Sequence, residues 1–532
     1  MFHQIEAPVG GSLPLSFLVA VLPLAAVLVL LGVVRRPAWQ ASLAGIGVAL
    51  ALAIGVWKMP VGIALNSLAS GATFALWPVM WIVFNALILY NITVASGRFA
   101  AFRAWMLDNL PNDRRVVLVV IGFAFGCLLE GISGFGTPVA ITSALLISLG
   151  FAPLDALTYT LIFNTAPVAF GALGAPITTL GAVTQIHDVT LGAMIGRQVP
   201  FIALLLPFYV VFLFGGWRAV RGVWPVLLVA GGSFGLAQFV SSNWLGYSLT
   251  DVLSSMTSLV ATLLFLKVWR APVDPAYSLD LPAQDARPER KPAIYGWMPW
   301  LLLSAVVMAW IHFGWSTIGQ QRIEWPGLHR GVFITTYNRP YDAVWTFQPL
   351  TTGTAILAAT VLISMLISLP VRLFIEAVRD AAKQVWLPAV TTMLIVGLAY
   401  LVNYSGMAFT LGLGVASVGP VFPLLSAFLG WLAVFLSGSD TSGNALFGNL
   451  QVVAAQKLGF DPVLMAASNS SGGVMGKMIS PQNICTGTSI TGMRGQEGRV
   501  LARTFKHSVI LTLMLGVLVH IQQYYLPGMI PH

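Results

Sequence analysis

Charged residues are scarce in this sequence. Only 8% of its 532 residues are Asp, Glu, Lys or Arg, whereas 57% are hydrophobic and the mean hydropathy is +0.84. In an ordinary soluble domain about a quarter of the residues are charged. The composition therefore excludes a soluble globular protein and predicts a multispanning membrane protein whose helices need about 20 apolar residues each.

Cysteine and the residue patterns of cofactor sites are also scarce. The sequence contains two cysteines, Cys127 and Cys485, which are too few to define a disulfide framework. We find no metal-ligand spacing and no nucleophile–base arrangement in the sequence. The glycines from Gly131 to Gly136 lack the preceding strand that a nucleotide-binding fingerprint needs. The sequence thus predicts no enzyme activity, no cofactor and no metal ion.

Basic residues predict the orientation in the membrane. The formal net charge of +9 comes mostly from Lys and Arg in short loops, which the positive-inside rule explains better than binding to nucleic acid. The apolar stretches predict roughly 11 to 14 helical membrane segments, and placing the basic loops in the cytoplasm puts both termini outside. The clusters are Arg35–Arg36, Arg98 to Arg115, Arg218 and Arg221, Lys267 to Lys291, Arg372 to Lys383, and Arg494 to Lys506.

The chain divides near its midpoint. Residues 270–296 are rich in proline and mixed charge, which predicts a cytoplasmic linker between an N-terminal transmembrane half (1–269) and a C-terminal half (297–532). By parity, the loop 319–347 lies outside although it carries three arginines. Val371 to Gln384 has apolar residues at helical spacing, which predicts an amphipathic helix in the membrane interface or, equally, an ordinary cytoplasmic helix.

Two stretches combine carboxylate or amide side chains with clustered glycine and proline inside apolar sequence. They lie at about 130–185 and about 437–490. Broken helix in lipid is tolerated only where it is packed in protein or lines a cavity, and intramembrane carboxylates usually mark an ion or substrate path. Both stretches therefore predict broken helices or re-entrant hairpins that form a binding site.

The two stretches have matching spacing. Gly131 and Gly136 are five positions apart, as are Gly438 and Gly443. The helix before the first break enters from inside in the predicted topology, and the helix before the second enters from outside. The predicted fold class is therefore an all-α polytopic membrane protein with two inverted repeats. A chance coincidence is the alternative, since the chain has 52 glycines.

Three residues are candidates for proton coupling. Glu130 and Asp440 are intramembrane carboxylates, and a carboxyl group in apolar surroundings is able to hold a proton near neutral pH. The alternative for both is a permanently neutral hydrogen-bond donor. His187 precedes Asp188 and is a third candidate, although a simple loop position is also compatible with its sequence context.

The residues expected to bind a substrate share small size, hydroxyl or amide groups, or positive charge. Free N–H groups at the starts of half-helices attract anions, so a small carboxylate with a neighbouring hydroxyl suits this set. The alternative is that the small residues only allow close helix packing, and that Lys477 extends to the cytoplasmic face. The candidates are Ser133, Gly134, Gly136, Thr137, Asn164, Thr165, Ser439, Ser442, Asn444, Asn469, Ser470, Ser471 and Lys477.

These segments resemble the L-lactate permease family, which includes glycolate permeases. The resemblance extends over nearly the whole chain and is carried by four stretches: Glu130 to Pro138, Asn164 to Gly171, Ser437 to Asn444 and Ser468 to Asn483. It implies an inner-membrane symporter of protons with L-lactate, D-lactate or glycolate, within a wider group of ion-coupled transporters with paired re-entrant hairpins. An elevator motion follows by analogy only.

The resemblance also bears on the coupling ion. In dicarboxylate carriers of that wider group, Ser-Asn-Thr steps at hairpin tips bind substrate and sodium. Here Phe163-Asn164-Thr165 departs from that pattern at its first residue and Ser468-Asn469-Ser470 at its third. Both departures favour protons over sodium.

We therefore predict a proton-coupled carrier of short 2-hydroxymonocarboxylates. Its expected partners are the substrate, protons and the lipid bilayer, with a homodimer as one expected assembly and no nucleic acid. A sodium-coupled carrier of another small organic anion is the main alternative. An anion channel and a membrane-embedded enzyme are weaker alternatives, because a channel has no need of buried carboxylates and an enzyme needs a reactive constellation.

Overall fold

The computed structural model describes residues 1–32, 34, 36–132, 137–279, 292–335, 339–493 and 496–531. It is almost entirely helical, as a chain with this hydropathy requires, since helices satisfy their own backbone hydrogen bonds in lipid. The helices of the first half are α1 (Leu13–Gly32), α2 (Ala38–Gly55), α3 (Val61–Phe74), α4 (Trp81–Ala95), α5 (Arg98–Asp108), α6 (Arg114–Val117), α7 (Gly126–Ile132), α8 (Thr137–Ser148), α9 (Pro153–Phe163), α10 (Gly171–Thr184), α11 (Asp188–Ile195), α12 (Val199–Val240) and α13 (Thr250–Val268). Those of the second half are α14 (Ala293–His312), α15 (Thr352–Leu366), α16 (Val371–Ser405), α17 (Met407–Val415), α18 (Phe422–Ser437), α19 (Asp440–Leu458), α20 (Pro462–Lys477), α21 (Pro481–Ile490) and α22 (Glu497–Tyr524).

Within the described residues, ten helical segments are long and apolar enough to cross a membrane, and a bent pair formed by α9 and α10 makes eleven. The long helix α12 adds a further crossing, because its backbone leaves helical geometry at Gly215 and Gly216. Beyond this break Gly231 packs closely on the backbone of Leu204, and Gly235 on that of Pro200, so the two arms of α12 run antiparallel. The number of crossings agrees with the predicted range.

Short strands form a cap at one end of the helices. They are β1 (Phe2–His3), β2 (Gln321–Glu324), β3 (Val332–Ile334), β4 (Arg339–Pro340) and β5 (Val344–Phe347). β3 pairs with β1 in parallel and with β4 in antiparallel register, and β2 pairs with β5. The start of the chain therefore lies on the segment 321–347, which is consistent with the prediction that both are on the same side.

Several basic residues lie together at another surface of the helices. Arg115 is buried and pairs with Asp113 at 2.6 Å, and it also donates to the carbonyl of Pro272 at 3.2 Å. Arg218 pairs with Asp274 at 2.9 Å. The basic loops near 114 and 218 thus meet the segment that follows α13, as expected if they all lie on one side of the membrane.

The interpretation of residues 371–384 needs a correction. They do not form a separate amphipathic helix, because α16 continues without interruption to Ser405. Pro388 lies inside this helix, where it removes one backbone donor without ending the helix. The amphipathic segment is therefore the exposed first part of a long membrane helix.

Glycines allow the closest helix packing in the second half. A Cβ atom at Gly430 would overlap the carbonyl of Asn469, and one at Gly472 would overlap the carbonyl of Ala427. α18 and α20 therefore touch backbone to backbone, as small residues permit in membrane proteins. This contact fixes the middle of α20 against α18.

Candidate transport site

Both predicted stretches contain helices that end or bend inside the protein. In the first, α7 and α8 lie on either side of residues 133–136, which are outside the described part of the chain, and α9 and α10 are bent by 62° with a short 3₁₀ turn (Val168–Phe170) between them. α10 begins with left-handed residues, of which Ala172 (φ 45°) and Leu173 (φ 56°) are not glycine. Such backbone strain persists only where the surrounding structure holds it, and it is often found at ligand sites.

The second stretch is broken at two points. α18 ends at Gly438 in the left-handed conformation (φ 72°), and the Ser439 hydroxyl accepts a bond from the Ser442 N–H at 3.4 Å at the start of α19. α20 ends at Lys477, and α21 starts after Ser480, whose hydroxyl accepts from the Asn483 N–H at 3.3 Å. These caps follow from the Ser-Asp and Ser-Pro steps of the sequence.

The broken ends surround a cavity of about 460 Å³. This volume lies in the range of small-molecule sites, which combine an apolar wall with a few polar groups. The apolar wall includes Val79, Met80, Ala172 and Pro176. The polar and charged lining residues are Arg36, Glu130, Thr391, Thr392, Ser437, Ser439, Asp440, Thr441, Ser442, Lys477 and Gln482.

Glu130 and Lys477 form a buried ion pair in the wall of this cavity. The Lys477 ammonium donates to Glu130 Oε1, and the Lys477 and Glu130 side chains are 8% and 3% exposed, respectively. Asn164 donates from Nδ2 to Glu130 Oε2 at 3.0 Å. Gly171 leaves room for the carboxylate, since a Cβ atom there would lie 3.2 Å from Oε1. The pair joins α7 of the first half to α20 of the second.

Asp440 is the second buried carboxyl group of the cavity wall. Its Oδ2 accepts from the Ser470 hydroxyl at 2.6 Å and from Asn444 Nδ2 at 3.3 Å. Its Oδ1 has no hydrogen-bond partner among the described residues. A buried carboxylate with one unsatisfied oxygen is unfavourable in its charged form. Asp440 is therefore placed where the binding of a proton costs little.

Behind Asp440, the amides form a network rather than part of the cavity wall. Asn469 donates to Asn444 Oδ1 at 3.0 Å and to the Gly443 carbonyl at 3.3 Å. Gln451 in turn donates to Asn469 Oδ1 at 3.0 Å. Ser471 donates to Gln198 Oε1 at 2.7 Å. These side chains satisfy one another and hold α19 against the middle of α20.

The predicted site residues thus fall into four groups. Glu130, Asp440, Ser439, Ser442 and Lys477 line the cavity, whereas Asn164, Asn444, Asn469, Ser470 and Ser471 are packed behind it. Thr165 is buried in the turn after α9 and donates to the carbonyl of Ile162 in the last turn of that helix. Ser133, Gly134 and Gly136 lie outside the described residues, and so does the side chain of Thr137.

His187 lies apart from the cavity. It caps the start of α11, its side chain is 76% exposed, and its Nδ1 is 3.4 Å from Asp188. It does not line the cavity. The proton-coupling role predicted for it gains no support from this position, which agrees with the alternative of a loop residue.

Sequence reasoning missed several residues. Thr391 and Thr392 of α16 line the cavity, although nothing in their local sequence marks them. Gln198 belongs to the network behind it. Asp251 is buried in α13 next to α7, and a carboxylate at the start of an apolar stretch was a signal that could have identified it.

Comparisons with known proteins identify the family of this chain. The sequence profile of the L-lactate permease family matches residues 16–526. The glycolate permease GlcA of Escherichia coli is 40% identical over 99% of both chains, and the L-lactate permease of Bacillus subtilis is 39% identical over 99% of both.

A solved structure shows the same fold. Neisseria gonorrhoeae MtrF, from a class of antimetabolite efflux pumps, has a TM-score of 0.50 and 13% identity, over 94% of this chain and 97% of its own. The match to the family and the ten apolar helices indicate a multi-pass protein of the inner membrane that transports rather than catalyses. The chain belongs to the L-lactate permease family.

Proposed function

We propose that this protein is a proton-coupled symporter of L-lactate and related short 2-hydroxymonocarboxylates, including D-lactate and glycolate. The observation that carries the proposal is the ion pair between Glu130 and Lys477 in the cavity wall, next to a second buried carboxyl at Asp440. The names of the relatives, glycolate permease and L-lactate permease, support the substrate class.

Lys477 is the natural partner for a substrate carboxylate. It is the cation in the buried part of the cavity wall within the described residues, whereas Arg36 is exposed. A monocarboxylate that binds Lys477 takes the place now held by Glu130. Glu130 then loses its cation, and an unpaired carboxylate in this buried position is strongly unfavourable.

Charge balance in the site links substrate to proton. Before binding, Glu130 and Lys477 sum to zero; after binding, the substrate anion and Lys477 sum to zero only if Glu130 has taken up a proton. One proton therefore accompanies each monoanion. Asp440 offers a second position for a proton beside the same cavity.

The hydroxyl of a 2-hydroxy acid has partners in the same cavity as Lys477. Ser439, Thr441 and Ser442 line the cavity at the first turn of α19, and hydroxyl groups both donate and accept. The N-terminus of α19 also favours negative charge nearby. This arrangement suits a small anion that carries its own hydroxyl.

The packing of the two broken stretches supports the inverted repeat. If α7, α8, α9 and α10 correspond to α18, α19, α20 and α21, a two-fold relation requires contacts to occur in exchanged pairs. α10 packs on α19, and α21 packs on α8, as that relation requires. In transporters built this way the site lies where the repeats meet and alternates between the two sides.

The experiment that tests the proposal is uptake of radiolabelled L-lactate into proteoliposomes with an imposed inward proton gradient, with and without sodium. Accumulation that needs the proton gradient and is unaffected by sodium is the expected result. Accumulation that needs sodium would replace protons by sodium as the coupling ion. A failure of L-lactate, D-lactate and glycolate under both gradients would overturn the substrate class. Lys477→Met in matched vesicles serves as the control for non-specific entry.

A further inference from the structure

A third buried carboxyl group lies beside the ion pair. Asp251 is the second residue of α13 and is 1% exposed. The Ser255 hydroxyl is 3.2 Å from its Oδ1, while its Oδ2 has no hydrogen-bond partner within the described part of the chain. A buried carboxyl group with one oxygen unbonded is not part of an ordinary structural ion pair, so its charge state needs an explanation.

Asp251 directly faces the last turn of α7. A Cβ atom at Gly131 would lie 2.9 Å from Asp251 Oδ2, and the residue before Gly131 is Glu130. α13 packs against α7 along this turn. The charged and titratable groups around Asp251 are Glu130 and Cys127 from α7 and Lys477 from α20.

The balance of positive and negative charges around Asp251 determines whether its carboxyl group is ionised. Lys477 is the one cation among these groups and its ammonium already pairs with Glu130. An ionised Asp251 would therefore leave one buried negative charge without a partner, which is costly. The start of α13 offers only the partial positive charge of a helix N-terminus, and that stabilisation is smaller than the cost of burying an unpaired carboxylate.

We propose that Asp251 is a positioning residue that is held as a neutral acid beside Glu130 and that sets the alkaline limit of transport. While Asp251 keeps its proton, Lys477 serves Glu130 or the substrate carboxylate. When Asp251 loses its proton, Lys477 faces two protein carboxylates and the substrate anion is repelled. The proposal rests on the proposed exchange of substrate for Glu130 at Lys477.

Exchange of labelled for unlabelled L-lactate, with the same pH on both sides of the vesicle, tests this inference without net proton movement. Wild-type exchange is expected to fall at alkaline pH by at least about tenfold per pH unit beyond its midpoint, because substrate binding takes up one proton at Glu130 and the loss of the Asp251 proton adds to that fall. Asp251→Asn fixes the neutral form with the same shape, so its exchange is expected to persist to higher pH. Asp155→Asn, which removes a partly exposed carboxylate paired with Arg503 at 2.5 Å, is the matched control and is expected to follow the wild type.

Two results would overturn the inference. One is an Asp251→Asn profile that superimposes on the wild type. The other is a correctly inserted Asp251→Asn protein without exchange while Asp251→Glu remains active, since a neutral side chain of the same shape would then fail to replace the ionisable carboxyl group. Absence of L-lactate exchange in the wild type would instead remove the proposed function itself.

Two further measurements test the inference if the Asp251→Asn protein does not insert into the membrane. Asp251→Ser is smaller and neutral, and the same alkaline persistence is expected of it. If it also fails to insert, infrared spectra of the wild type are expected to contain the carbonyl stretch of a protonated carboxylic acid that shifts in Asp251→Glu. A spectrum without that band, or a band that does not shift, contradicts a neutral Asp251.

Discussion

Replacing Glu130 by glutamine separates substrate binding from proton coupling. Glu130→Gln removes the negative charge that pairs with Lys477 but keeps an oxygen that can accept a hydrogen bond from Asn164. If the substrate carboxylate must displace Glu130, the variant no longer has to break that contact. Substrate binding is then expected to become tighter, while uphill transport is lost because the glutamine amide cannot take up and release a proton.

The magnitude follows from the contact that is removed. A hydrogen bond to a charged group contributes about 1.5 to 3 kcal/mol, and every 1.4 kcal/mol changes an equilibrium constant tenfold. The apparent affinity for L-lactate is therefore expected to increase by about 10- to 100-fold. Its dependence on pH is expected to weaken, because the group that takes up a proton on binding is gone.

The assay needs two readouts on the same vesicles. Exchange of labelled for unlabelled L-lactate reports apparent affinity, and uptake under an inward proton gradient reports coupling. Lys477→Met is the opposite control, since it removes the cation and is expected to weaken binding by about 10- to 100-fold. Unchanged uphill uptake by Glu130→Gln would refute a coupling role for Glu130, and weaker binding would show that it contacts the substrate instead of competing with it.

Three further predictions concern access, the polar network and folding. Cys485 lines the cavity and is exposed, whereas Cys127 is buried. A membrane-impermeant maleimide should therefore label Cys485 but not Cys127, and the labelling of Cys485 should be slower when L-lactate is bound. Mass spectrometry of the labelled protein measures both. Asn469→Ala removes hydrogen bonds behind the cavity. Its main effect should be a lower thermal stability, measured by fluorescence-detected gel filtration after heating, with a smaller change in the apparent affinity for L-lactate. Asp113→Ala leaves Arg115 buried and unpaired, and a loss of about 3–5 kcal/mol should reduce the folded yield.

Each of these predictions has an outcome that contradicts it. Equal labelling of both cysteines would mean that Cys127 is accessible. A large loss of affinity in Asn469→Ala at normal stability would place that amide in contact with the substrate. A normal yield of Asp113→Ala would show that Arg115 has found another partner, and Asp380→Ala, at an exposed position, is the control that should fold normally.

The broad class of the fold could be predicted because it depends on composition along the chain. A sequence with 8% charged residues and long apolar runs has to form membrane helices, whatever their arrangement. Gly438, two positions before Asp440, also marked the break between α18 and α19, since a left-handed glycine is a local feature. The continuous helix α16 was not predicted, because a proline such as Pro388 is tolerated when the rest of the helix is held by its neighbours.

The partners of each polar residue could not be predicted in the same way. The sequence named Lys477 and left open whether it binds the substrate or extends to the cytoplasmic face. The fold pairs it with Glu130, 347 positions away. Asn469 and Ser470 were expected at the substrate, but their side chains donate to Asn444 and Asp440 of α19, behind the cavity.

The sequence by itself therefore determined that this is a helical membrane protein with two broken stretches, and it identified the family, because hydropathy and local motifs are properties of short segments. The tertiary structure decided which carboxylate holds the cation, which amides line the cavity and which are packed behind it, and that Asp251 stands beside Glu130. These features depend on contacts between segments far apart in the chain. Burial removes water from these contacts, so each charged group can interact only with the side chains packed around it.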